Sequence, residues 1–138
     1  MPTLPWMSAS TGVEPAGDAT AVVMASRFRL RSVRDVLPFL LDAMRVRRQV
    51  LASDGALGVS LAAHPLRREF WTLSAWRGRA ELEAMAHAEP HRTVMRRYRG
   101  KAAVAQFVFW EVPVTALPVS WSDARRRIAA EESRPTPA

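Results

Sequence analysis

Three histidines, His64, His87 and His91, are the only imidazoles in a chain of 138 residues that contains no cysteine. Without thiols there are no disulfides, no thiolate nucleophile and no Cys-based metal site. The histidines are not spaced as HExxH, and no carboxylate stands at helical spacing to complete a two-His-one-carboxylate set, so no metal centre is expected. His91 has the most informative neighbourhood. In "AEPHRTVMRRYRG", residues 88–100, Glu89 precedes a proline and is pushed out of the helical region, and Pro90 then opens a new helical segment with His91 just inside it. There the positive end of the helix dipole favours the neutral imidazole, the form that serves as a general base on a phenol or as an iron ligand. A polar residue bonded to nearby backbone at a helix start is the plainer alternative. His87 is expected at the surface and His64 at the rim of a strand end.

Composition narrows the class. Hydrophobic residues make up 49% of the chain, with five Trp against one Tyr, which describes one folded domain rather than a disordered chain. The start, "MPTLPWMSAS", has no basic residue followed by an unbroken apolar run, and no apolar stretch is long enough to span a bilayer, so a cytoplasmic protein with no membrane partner is expected. The net charge is +7, but Lys101 is the only Lys among 20 basic residues. "RRYRG" at 96–100 and "RRR" at 125–127 carry no interleaved aromatics for base stacking, so no nucleic-acid partner is expected.

The elements that must position these residues follow from periodicity. Residues 1–18, with three Pro and two Gly, give no period and are expected to form an extended arm. "TAVVMASRFRL", 20–30, reads as a strand. A helix follows to about residue 50, with Val33, Val36, Leu37, Leu40, Leu41 and Met44 at i, i+3, i+4, i+7 spacing, Asp35 as its N-cap and Pro38 in its first turn. "ALGVSLAAH" and "EFWTLSAW" form a hairpin across "PLRR". In its register Leu57, Val59 and Leu61 share a face with Phe70, Thr72, Ser74 and Trp76, and the other face carries Gly58, Ser60, Ala62, His64, Trp71 and Leu73. "RGRAELEAMAHA" is helical, "HRTVMRRY" is a further helical segment ended at Gly100, and "AAVAQFVFWEVP" is a strand. "SWSDARRRIAAEE" reads as a short polar helix before a disordered tail, 133–138.

Strand, helix, strand, strand, helix, strand is the α+β, ferredoxin-like βαββαβ order with a four-stranded antiparallel sheet, here with an extra C-terminal helix, in a single domain over 19–132. Two helices cover only one face of such a sheet. The other face, carrying Trp71 and Leu73, is therefore expected to be buried by a second copy of the chain in a homodimer through the sheet face.

"FWTLSAWRGRAELEAMAHAEPHRTVMRRY", 70–98, resembles the strand-to-helix segment of the antibiotic biosynthesis monooxygenase-like family of the dimeric α/β-barrel superfamily: a strand ending in Ser-x-Trp, a helix rich in Ala, Glu and Leu, and an acidic-Pro-His step into another helical turn. The resemblance extends over roughly residues 20–112. The superfamily includes cofactor-free quinone-forming monooxygenases, haem-degrading enzymes, haem-dependent dehydratases and ring cyclases, so it implies the fold more sharply than the reaction. It also implies a ligand cavity between the sheet and its two helices, taking a small hydrophobic ligand. Trp76 matches the cavity-lining Trp of the cofactor-free oxygenases, with core filler as its equal alternative, and His91 lies near the iron-ligating His of the haem-degrading members. The catalytic Trp and first-strand Asn of those members are not matched: the corresponding neighbourhoods hold Leu82 to Met85 and Ser26 and Arg27.

On the oxygenase reading no cofactor is needed. His91 is the base, Trp76 the donor on the oxygen side, and Ser74 or Arg27 the stabiliser of the substrate anion, with Met24, Leu40, Met44, Met85 and Phe107 as further substrate contacts. Arg27 is costly to bury unpaired, so outward exposure at a sheet edge is the plainer reading, and if it points inward it should meet an acidic residue or an anionic ligand. Two alternatives stand beside this reading. One is a haem-binding enzyme with His91 as axial ligand. The other is a non-catalytic dimeric module whose cavity has collapsed around Met24, Met44, Met85 and Met95.

Overall fold

In a computed structural model the chain is described over residues 3–9 and 19–132; the tail expected at 133–138 and most of the N-terminal arm lie outside the described residues. The elements run β1 Thr3–Ser8, β2 Thr20–Leu30, α1 Val36–Ala52, β3 Ala56–His64, β4 Glu69–Trp76, α2 Arg79–His87, α3 His91–Tyr98, β5 Ala102–Pro113 and α4 Trp121–Glu132. The sheet order is β1-β3-β4-β2-β5 and every neighbouring pair is antiparallel. Without β1 this is the ferredoxin-like sheet expected from the element order.

The fifth strand, β1, comes from the segment that showed no period. Pro5 sits on it, as proline does on edge strands, where a missing N–H is tolerated. Trp6 explains a glycine on its neighbour: a Cβ on Gly58 would lie 2.2 Å from the Trp6 ring, so only glycine lets the indole lie against β3.

The β3–β4 pairing sets Val59 opposite Ser74, Leu61 opposite Thr72 and Ala62 opposite Trp71, the register read from alternation. A bulge between Ala56 and Gly58 turns Leu57 to the other face, where it packs against the buried group containing Leu73 and Ala75.

The second face is not bare. Ala124 and Ile128 of α4 are buried with Val23, Ala25, Leu73 and Ala75, and Trp6, Trp71, Trp110 and Trp121 pack around them. Helix α4 is thus amphipathic at Trp121, Ala124 and Ile128, i, i+3, i+7, a stripe hidden among its charges. The expectation that the chain's helices leave this face bare is corrected: its own fourth helix and Trp6 pack on the centre.

Helix α1 also differs from its expected face. Val33, Leu37 and Leu41 are exposed, at 71%, 64% and 59%, and the inward side is Phe39, Leu40, Ala43, Val46 and Val50. Adjacent faces of this helix are both apolar, and docking on the sheet selects one. Asp35 occupies the N-cap position but makes no side-chain cap; Ser32 instead accepts from the Arg34 N–H in a preceding 3-10 turn, Val33–Asp35.

Candidate functional site

Helices α1 to α3 roof the sheet face that carries Met24, Ser26, Phe28, Phe70, Thr72 and Ser74, and a cavity of about 460 Å³ lies between roof and floor. That volume lies within the range of small-molecule sites. The hollow follows from residue size: Ser26, Thr72 and Ser74 form the middle of the floor and Ala43 faces them from α1, so small side chains meet where large ones would fill the layer. Around them Phe39 and Phe70 pack at 4.5 Å between ring centroids and Phe39 and Tyr98 at 4.9 Å, edge-on.

Two relationships govern the floor's polarity. Ser26 and Thr72 hydrogen-bond to each other across β2 and β4. Trp76 Nε1 donates to Ser74 Oγ at 2.9 Å, which leaves the Ser74 hydroxyl proton to donate elsewhere.

His91 stands in the cavity wall at the first turn of α3. Its Nδ1 lies 3.0 Å from the carbonyl oxygen of Ala86; since a carbonyl only accepts, Nδ1 carries the proton and Nε2 the lone pair. Burial pushes the imidazole pKa below its ordinary 6.5, the Ala86 bond opposes that shift, and the charge of His87 adds to it. The backbone N–H of His91 donates to Gln49 Oε1 at 2.9 Å, and Gln49 Nε2 donates to the Met85 and Ala88 carbonyls at 3.0 and 3.3 Å. One side chain of α1 thereby ties the end of α2 to the start of α3. The site combines a neutral imidazole, a short row of hydroxyls and apolar walls, which suits proton removal from a weakly acidic organic molecule in a dry space.

Tyr98 also lines the cavity, but its O–H donates to Asp42 Oδ2 at 2.9 Å, beneath α1. Arg97 Nη1 meets the same oxygen at 2.5 Å, and Asp42 is buried. Burial, followed by the bond to Asp42 and its charge, pushes the Tyr98 phenol up to about 12, so it holds its proton.

Of the residues singled out from sequence, the structure brings His91, Ser74, Met24, Leu40, Met85 and Phe107 to the cavity, and does not bring Trp76, Arg27 or Met44. Trp76 is fully buried with Leu82 and Met85, its N–H committed to Ser74, so it supports the floor instead of forming it. Arg27 points to the α4 face, where Nη2 pairs with Glu69 at 2.5 Å, Nη1 donates to Gln106 at 3.1 Å and the guanidinium lies over Trp71. The acidic partner that a buried arginine demands is thus Glu69. Met44 faces outward beside Leu41 and Arg48. A core collapsed around methionines is also not what forms: Met24, Met85 and Met95 line an open space. His87 is exposed, bonded to the Glu83 carbonyl, and His64 is outside the cavity.

Sequence reasoning missed Gln49, Arg47 and Tyr98. Arg47 had a readable signal, for Leu40, Ala43, Arg47 and Val50 follow i, i+3, i+7, i+10 and the arginine interrupts an apolar helix face. Gln49 had none, because its three bonds are all to chain far away in sequence.

No protein-family model matches the chain, and no curated protein does. Solved structures do. A variant of SnoaB, a cofactor-independent oxygenase from Streptomyces nogalater, superposes with a TM-score of 0.57 at 11% identity, over 72% of this chain and 98% of that one. A candidate antibiotic biosynthesis monooxygenase from Nitrosomonas europaea gives 0.62 at 12%, over 78% and 100%. PA3566 from Pseudomonas aeruginosa gives 0.61 at 14%, over 69% and 96%. At such identities the likeness is one of fold, and the fold is that of the antibiotic biosynthesis monooxygenase-like proteins.

Proposed function

We propose that this chain is a small cofactor-independent oxygenase acting on a hydrophobic aromatic molecule that bears an acidic phenol or enol. The observation that carries the proposal is the state of His91: Nδ1–H is held by the Ala86 carbonyl and burial keeps the ring neutral, so Nε2 is a base at neutral pH in the wall of an apolar cavity. The fold shared with a cofactor-independent oxygenase agrees with it.

His91 Nε2 takes the substrate proton, and the anion is held by hydroxyl donors on the floor, with Ser74 placed for this by its bond from Trp76. Away from water the anion gives one electron to O₂, and the resulting radicals combine to a hydroperoxide. Loss of water turns a CH₂ carbon into a ketone. Overall, substrate and O₂ give the quinone-type product and H₂O, with all the electrons coming from the substrate.

The test is oxygen consumption by the purified chain with anthrone and a panel of polycyclic phenols, compared with His91→Ala. Turnover that falls by about 10²-fold or more in the variant supports the base, on the usual scale of general-base catalysis. Equal rates would remove His91 from the reaction. Adding haemin in parallel separates the second reading, since a Soret band that His91→Ala abolishes would make His91 an axial ligand.

A further inference from the structure

The cavity lining is mainly apolar, but beside the hydroxyl row and one imidazole it includes two arginines, Arg99 and, from α1, Arg47. The Arg47 side chain is half-buried, and its Nε is buried with no hydrogen-bond partner. Nη2 makes only a weak contact with Met7 Sδ at 3.7 Å. Among the described residues no ion pair includes Arg47, although Arg45 on the same helix pairs with Asp42, Arg27 with Glu69 and Arg97 with Asp42. The other buried side-chain nitrogen without a partner, Trp110 Nε1, is on the opposite face. The Arg47 Nε is withheld from water without a partner while Nη2 reaches the exposed side of Met7, so an anion entering the cavity would meet an unsatisfied donor.

Resting on the reading of this cavity as a substrate site, we propose that its ligand carries a carboxylate and that Arg47 is the residue that binds it. The single charge of Arg47 matches a carboxylate's, and the guanidinium fork fits its two oxygens. A phosphate dianion would need further charged donors, and of the two lining arginines Arg47 is the one that is not exposed. Arg99 at the other side of the cavity is exposed, and water solvates its charge. The substrate is therefore an aromatic acid: its carboxylate is anchored at the β1 side by Arg47, and its acidic O–H or C–H is taken by His91.

Equilibrium binding of naphthalene-2-carboxylate and naphthalene-2-carboxamide tests this, because the two share an apolar body and differ in charge. The wild-type chain should bind the carboxylate about tenfold more tightly, the scale of one charge-assisted pair. Arg47→Met should lose that preference while still binding the carboxamide, and Arg47→Lys should restore part of it. If both probes bind wild type equally, or if the preference survives in Arg47→Met, the Arg47 assignment is overturned and the cavity site stands. If neither binds, the reading of the cavity as a ligand site fails and this inference falls with it. Retained carboxamide binding by Arg47→Met shows that the variant is folded.

Discussion

Gln49 Oε1 accepts the backbone N–H of His91 at 2.9 Å across the gap between α1 and α3, and the same side chain serves the carbonyls of Met85 and Ala88. The base of the proposed reaction is thus held in place by a residue 42 positions away in sequence. Replacing Gln49 with Ala removes three hydrogen bonds whose backbone partners water can partly reach, for a loss of about 1–3 kcal/mol in chemical denaturation. A positioning role also requires that kcat fall while the carboxamide probe still binds.

The pH dependence of kcat/KM follows from His91. A depressed pKa means that the base becomes protonated only below 6.5, so the acid limb of the profile should lie below that value and activity should be level through neutrality. Stability has the same sign: the contribution from neutral His91 is present above 6.5 and is lost as pH falls through the depressed folded-state value. An acid limb above 6.5 would contradict the buried, neutral imidazole.

Tyr98 is the only tyrosine in the chain, so a spectrophotometric phenolate titration reads it alone. The midpoint should lie near 12 in place of the ordinary 10.0. Because the folded value is raised, the stabilisation is full below 10.0 and declines as pH rises toward the folded midpoint. Asp42→Asn should move the midpoint down, since the second and third causes of the shift are the bond to that carboxylate and its charge.

Gly58 is matched to Trp6. Gly58→Ala places a methyl group inside the indole, and the expected loss is about 1–3 kcal/mol, with β1 displaced from the sheet edge. Hydrogen exchange at β1 reads the displacement. Combining Gly58→Ala with Trp6→Ala should cost less than the sum of the two, because one change removes the other's clash.

Ile128 is buried where α4 covers the second sheet face. Ile128→Ala should cost about 2–4 kcal/mol on the scale of core truncations. Ile128→Asp should expose the face and convert the chain to larger species in light scattering, whereas a face closed by other means would leave the size unchanged.

Much of the scaffold was legible from local pattern. The β2, β5 and α4 segments, the β3–β4 register and the break between α2 and α3 are set by alternation, helical spacing and Pro90, all of which act over a few residues. The same pattern put Phe70, Thr72, Ser74 and Trp76 on one face, which is correct. It could not tell that Trp76 continues under α2 while Ser74 opens into the cavity, because that depends on where the helices end above the strand.

By itself, then, the sequence determined the ferredoxin-like order of elements, the position of His91 at the head of a restarted helix and the absence of thiol chemistry. Tertiary structure alone decided which side of α1 faces inward, that Arg27 meets Glu69 on the far face, that α4 and Trp6 cover that face, and that Gln49 and Ala86 hold His91. The division has one physical cause. Periodicity reports which residues can share a face, whereas burial, ion pairing and the protonation state of a histidine depend on what arrives from elsewhere in the chain to meet that face.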